Sequence, residues 1–484
     1  MLLFGKIAEA IRAGILNLEH SYKYRTLEDY LIARSAWDDE KNTLIEHAGL
    51  QDARNCPKVL TELQGRLEQY YQLTNGRILD GSNEFVSVKS DGAYSVQTPP
   101  LAEKVASGLS EYFPETKFIS LLEILSTINQ VTDFLSEFKR SKLKYNHARP
   151  SERSFFAGLL GLGCGIVIKR IAQISNLIDE SELERAVNWH FSFENVEAAN
   201  DRILAFMDKL ELPSLYLQDS EWRHTSSDGQ KVEVAVPSLN ANYSFKYFGQ
   251  GKGVSVYCFI DERHFLFHST VISSAEREAA YVIDGLMHND VVKSDIHSTD
   301  THGYTEVIFG ATHLLGFTFA PRIKSLGGQR LYTFPGNTKK LYKEEEFPIF
   351  PDGVINTQLI AENWDEILRF IATIRLKETP ASQLFRRLNS YSKTHPLWEA
   401  LKEFGKVVKS IFILNYIEDL NLRQAIEKQL NKIESAQKFS NAVAFGSQEF
   451  RQADREEQNI VVACRRLIKK AIICWNYLYF HRGL

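Results

Sequence analysis

Between residues 231 and 272 the chain carries three closely spaced segments that suit no helix: KVEVAV (231–236), GVSVYCFID (253–261) and HFLFHSTVI (264–272). They are rich in β-branched and aromatic residues and are split by Gly249-Gln250-Gly251 and Asp261-Glu262-Arg263. They therefore read as consecutive antiparallel strands. AEREAAYVIDGLMHND (275–290) follows as a helix, with Ser273 and Ser274 as cap candidates, then a strand at 294–300, a helix from Tyr304 and a strand at 317–323. Strands followed by alternating helix and strand require a mixed α/β sheet. The flanking regions instead repeat apolar residues at helical spacing. The expected class is α/β plus all-α.

The sequence divides accordingly. Residues 1–73 read as a helical scaffold, with Ile7, Ile11 and Ile15 at i, i+4, i+8. Residues 74–100 are turn-rich, and Phe85–Lys89 with Ala93–Val96 predicts a hairpin closed at Ser90-Asp91-Gly92. A helical domain at 101–215 precedes the sheet region at 216–336. A helical insertion (337–423) and C-terminal helices (424–484) complete the chain. With 484 residues, 44% of them hydrophobic, more than one core is expected. The five cysteines are scattered and form no CxxC pair, which argues against a disulfide framework or a zinc site and for a reducing cytoplasm. The longest apolar run, Phe155 to Ile168, is too short to span a bilayer, so no membrane partner is expected. A formal charge of −4 supplies no global attraction to nucleic acid, so DNA binding must rest on local patches.

Three carboxylates stand out. Asp300, in HSTDTHGYTE (297–306), lies where an extended segment becomes a helix, between His297 and His302. Asp228 lies in SSDG (226–229), just ahead of the first strand, where an aspartate commonly forms a turn. Glu434, in LNKIESAQKF (430–439), falls at the edge of a helix's apolar stripe and not on its wet face. Singly, Asp300 reads equally as a helix cap and Glu434 as a solvated glutamate. Together, carboxylates from separate elements can hold two divalent ions about 3.5–4 Å apart for phosphoryl transfer. Hard oxygen ligands select Mg²⁺ or Mn²⁺ over zinc.

Basic groups able to meet a phosphate backbone cluster at Lys139, Arg140, Lys142, Lys144, Arg149 and Arg153, and at Arg322, Lys324, Arg330, Lys339 and Lys340. Lys438 lies one turn beyond Glu434, and a third group (Arg465, Arg466, Lys469, Lys470) lies on the last helix. Each also reads as a solvated face, and none suggests base-specific readout.

SSDGQ (226–230), YFGQGKGVSVY (247–257), REAAYVIDGLMHN (277–289), TDTHGYTEVIFGATHLLGFTFAPRIK (299–324) and LNKIES (430–435) together resemble the catalytic region of the Tn-three family of replicative transposases. HSYKYRTLEDYLI (20–32) and ERSFFAGLLGLGCGI (152–166) extend the likeness over nearly the whole chain. The resemblance implies an RNase-H-like core with a large helical insertion. It also implies a DDE triad falling on Asp228, Asp300 and Glu434, two Mg²⁺ or Mn²⁺ ions, and His297 and His302 beside the site. The implied reaction is strand cleavage at transposon ends and transfer of the 3′-hydroxyl into target DNA, ending in a cointegrate. Implied partners are DNA and a second copy, or a full-length or N-terminal transposase part. Family members are about twice as long and carry end-recognition domains that this sequence does not match, so a non-catalytic DNA-binding fragment that modulates a full-length transposase is the alternative. An unrelated two-metal nuclease would use the same three residues.

Overall fold

The computed structural model describes residues 2–12, 16–21, 24–89, 94–100, 118–140, 148–175, 177–218, 222–274, 276, 278–287, 291–300, 304–336, 340, 342, 346–390 and 395–483. The elements that matter here are, in chain order, α1 (Cys56–Leu79), β1 (Val86–Val88), β2 (Tyr94–Val96), α2 (Glu152–Cys164) and α3 (Phe193–Met207). They continue with β3 (His224–Glu233), β4 (Asn242–Tyr243), β5 (Lys252–Asp261), β6 (His268–Ser273), α4 (Ala279–Met287), β7 (Ile296–Thr299), α5 (Glu306–Leu314) and β8 (Thr318–Phe319). The last helices are α6 (Pro396–Glu418), α7 (Leu420–Val443) and α8 (Arg455–Gly483). The chain is thus mixed α/β with extensive helix. It forms two compact units, one of residues 1–101, 279–288 and 295–428, the other of 102–278, 289–294 and 429–484.

The second unit holds the antiparallel strands β3 to β6. β5 pairs with β3 along one edge, and β4 and β6 share the other. Every residue of β5 after Lys252 is buried, which the β-branched and aromatic run GVSVYCFID requires. β3 differs from its expectation. It begins at His224 and not near Lys231, so Asp228 stands mid-strand opposite Cys258 and not in a turn. Its first half escaped notice because its buried residues are small and polar. Ser227 Oγ is 2.8 Å from the Tyr257 hydroxyl, and Ser226 Oγ donates to the Gln429 carbonyl at 3.1 Å, which meets the cost of burying them.

The basic row on α8 is a second departure. Arg465, Arg466, Lys469 and Lys470 are all buried, so the expectation that they carry phosphate is overturned. Arg465 Nε donates to the Gly163 carbonyl of α2 at 3.0 Å, and Lys470 Nζ to the Asn200 carbonyl of α3 at 3.0 Å. Arg466 pairs with Glu197 of α3, and Lys469 donates to Ser440 of α7. Long basic side chains on a largely apolar helix here bridge neighbouring helices instead of facing solvent.

In the first unit, α5 crosses α6 at glycines. A Cβ on Gly405 would lie 1.7 Å from the Glu306 carbonyl oxygen, and one on Gly310 would lie 2.9 Å from that of Leu401. Phe309 and Phe412 meet beside the crossing with centroids 5.5 Å apart. The expected hairpin is present as β1 and β2, antiparallel with Val86 opposite Val96; its turn lies outside the described residues. β8 runs parallel to β7, with His297 opposite Phe319. Its regular part is shorter than the expected 317–323. The alternating bonds continue nonetheless: the N–H groups of Thr318, Ala320 and Arg322 donate to the carbonyls of Asp295, His297 and Thr299. All five cysteines are free and buried. Among the described residues no helix is long and apolar enough to cross a membrane.

Candidate active site

The first carboxylate is held by its own strand and by a helix. Asp228 is half-buried; its Oδ1 accepts from the Gly229 N–H at 2.8 Å and its Oδ2 from the Gln437 side-chain amide of α7 at 2.9 Å. One turn on, Asn441 accepts from the Gln230 amide, so positions 437 and 441 of α7 meet positions 228 and 230 of β3. Helical spacing of four thus matches strand spacing of two. Gly229 faces the opposite way, and a Cβ there would lie 2.3 Å from Glu278 Oε1. That carboxylate accepts from Lys231 Nζ at 2.8 Å and Ser255 Oγ at 3.0 Å, which occupies it structurally.

Glu434 projects from α7 into solvent. Its neighbours Leu430, Ile433 and Ala436 form the buried stripe, so Glu434 belongs to the wet face and not to the stripe's edge. Lys438, one turn further, is exposed as well. Both remain available to a ligand from outside.

The second carboxylate stands one residue beyond β7. The helix that follows is capped by Thr305, whose Oγ1 accepts from the Ile308 N–H at 3.4 Å, so Asp300 is not the cap. Its partner is Arg322, with Nη2 2.9 Å from Asp300 Oδ1 and Nη1 3.3 Å from Glu427 Oε2. The backbone bond from Arg322 to Thr299 brings this arginine beside Asp300. Burial works against the guanidinium's charge, but the two carboxylates win and hold its pKa above the ordinary value. His297 is completely buried in β7. His302 lies outside the described residues.

The remaining basic candidates separate by environment. Lys324, Arg330 and Lys139 are exposed; Lys139 pairs with Glu137 at 3.0 Å. Arg140 lies over the Trp189 ring at 5.8 Å. Arg149 spends two N–H groups on the carbonyls of Leu135 (2.5 Å) and Phe138 (3.2 Å), which makes it a brace for that turn. Lys142 and Lys144 lie outside the described residues.

Sequence reasoning missed Gln437 and Glu427. Gln437 is 209 positions from the aspartate it touches, and no local pattern reveals such a pairing. Glu427 did leave a signal, being two helical turns before Glu434 and so on the same face.

Asp228, Asp300 and Glu434 each carry the hard oxygen donors that a divalent cation of the Mg²⁺ type takes, and the carboxylate of Asp300 is paired with Arg322. Among the described residues no cluster of three or more His, Cys, Asp or Glu stands assembled for a metal.

A family model described as the Tn3 transposase DDE domain matches residues 123–484. The chain is similar to the transposase for transposon Tn1546 of Enterococcus faecium, with 31% identity over 487 residues, 99% of this chain and 47% of that relative. It is 30% identical over 498 residues to the transposase for transposon Tn2501 of Escherichia coli, covering all of this chain and 48% of that protein. The transposase for transposon gamma-delta of Escherichia coli K12 is 25% identical over 500 residues, again across 48% of its length. The chain therefore spans about half the length of the curated relatives it matches.

Proposed function

This chain belongs to the Tn3 transposase family, and on that premise we propose that it is the catalytic module of a DDE transposase. Its reaction is cleavage of DNA strands at transposon ends and transfer of the freed 3′-hydroxyl into target DNA, with a cointegrate as product. Asp228, Asp300 and Glu434 are the triad, carried on an RNase-H-like core at 216–336 and on the C-terminal helices from 424. The observation that carries the reading is Asp228 itself: a half-buried carboxylate in mid-strand, oriented by a side-chain amide from the helix that bears Glu434.

The three carboxylates would jointly hold two Mg²⁺ or Mn²⁺ ions, which supply a nucleophile at neutral pH and offset charge on the leaving oxygen. The chain's own groups do the rest. Gln437 fixes which lone pairs of Asp228 point outward. Arg322 pairs with Asp300 and, once displaced, is placed to grip a phosphate bidentately. His297, buried three residues before Asp300, supports the strand end from within. Lys438, Lys324, Arg330, Lys139 and Arg140 contact the phosphate backbone, which positions DNA without reading its sequence. The protein acts in the cytoplasm as a dimer, or with a full-length or N-terminal transposase part.

The test is cleavage of labelled, pre-nicked transposon-end DNA with Mg²⁺ or Mn²⁺, beside Asp228→Ala, Asp300→Ala and Glu434→Ala. Metal-dependent cleavage lost in all three variants is the expected result. An inactive parent chain, alone and with a supplied N-terminal half, would replace this reading by that of a fragment modulating a full-length transposase.

A further inference from the structure

On the sheet face that carries Asp228, inside the second unit, lies a small cavity of about 20 Å³. Gln230, Val232, Val256 and Cys258 form its sheet wall. By strand alternation and register these side chains share the face of the sheet that carries Asp228. α8 lines it as well, with Arg465, Arg466 and Lys469, as does Ser269 of β6. These four polar residues are 2–7% exposed.

Charge is unbalanced there. Arg466 reaches Glu197 through Nη2, but among the described residues no carboxylate pairs with Arg465 or Lys469. Burial, with Arg465 and Arg466 adding to it, drives Lys469 down to about 8. Donors are in surplus too. Among the described residues Arg466 Nη1 and Ser269 Oγ have no hydrogen-bond partner. A buried charge left without a counter-charge is costly, and proteins rarely tolerate it.

We propose that this cavity holds one monovalent, halide-sized anion, bound by Arg466, Lys469 and Ser269 and counterbalancing Arg465. Size decides against larger ligands: a single water needs about 10–15 Å³, so this space admits one small sphere and no phosphate or nucleotide. Donor chemistry favours an anion over water, since Arg466 Nη1 can only donate and the groups around it are cationic. The site is structural and independent of the proposed reaction. It neutralises a cationic cluster packed on the sheet face from which Asp228 projects.

Thermal unfolding of the whole chain at constant ionic strength, with potassium gluconate replaced by chloride or bromide, tests this. The expected result is a Tm rise on the order of 2–4 °C. That rise should shrink by at least half in both Ser269→Ala and Lys469→Met. Crystals of the unaltered chain grown in bromide should show an anomalous peak between Arg466 and Ser269, which keeps the test independent of the variants' folding. Water density without anomalous signal would overturn the proposal. So would a Tm indifferent to halide, or a halide effect undiminished in both variants.

Discussion

Arg322 donates Nη2 to Asp300 at 2.9 Å and Nη1 to Glu427 at 3.3 Å, so a carboxylate the proposed chemistry requires is already bound by a guanidinium. Cation binding at Asp300 must displace it. In Arg322→Ala, Mn²⁺ should bind about 3–10-fold tighter, because one competing charge-assisted bond is gone. Calorimetric or spin-resonance titration measures this, and an unchanged affinity would mean that the arginine does not compete. The pair is partly exposed, so stability should fall by no more than about 1 kcal/mol.

Gln437 acts through Asp228 and is a positioning residue. Gln437→Ala should slow cleavage by about 10–100-fold, the usual effect of losing an outer-shell partner of a metal-binding carboxylate. Its unfolding midpoint should be unchanged. Gln437→Glu should be worse than alanine, with the excess loss relieved at higher Mg²⁺. Equal activity in all three proteins would remove Gln437 from the site.

The α5–α6 crossing leaves no room for a methyl group. Gly405→Ala would set its Cβ 1.7 Å from a backbone carbonyl, a contact that only a helix shift relieves. A loss of about 3 kcal/mol or more is expected in urea unfolding. Gly65→Ala on α1 has nothing within 4 Å and should be neutral or stabilising by up to about 1 kcal/mol.

His224, 5% exposed, is driven from 6.5 to about 4 by burial and, secondarily, by Lys432. Its folded pKa is below its unfolded one, so its contribution is complete above pH 6.5 and is lost as pH falls from 6.5 towards 4. The size is roughly 3 kcal/mol at most. Denaturant midpoints between pH 7 and 4.5 should fall more steeply for the parent chain than for His224→Gln. Superimposable profiles would assign the acid sensitivity elsewhere.

Periodicity made part of this fold legible and concealed the rest for identifiable reasons. GVSVYCFID announced β5 because a strand buried on both faces must be apolar throughout. HTSSDG concealed β3, since its buried residues are small hydroxyls satisfied by partners distant in sequence, and SSDG has the composition of a turn. The three candidate carboxylates are legible only as residue types in order, while the Asp300–Arg322 and Asp228–Gln437 contacts leave no mark in the sequence. The row Arg465, Arg466, Lys469, Lys470 was misread because charge on a helix ordinarily marks solvent, while carbonyls that could receive it indoors leave no trace in sequence.

That row also bears on how firmly the scaffold is aligned. Apolar side chains attract without direction, so helices held by them alone can slide or rotate slightly at little cost. A charged donor aimed at one carbonyl tolerates far less. With Arg465 fixed to Gly163 and Lys470 to Asn200, α8 behaves as a keyed shaft in matching slots. Lys469 extends the key to Ser440, one turn beyond Gln437. Loosening any one key would let α7 drift, and Asp228 would lose its aim without a single change in the residues that surround it.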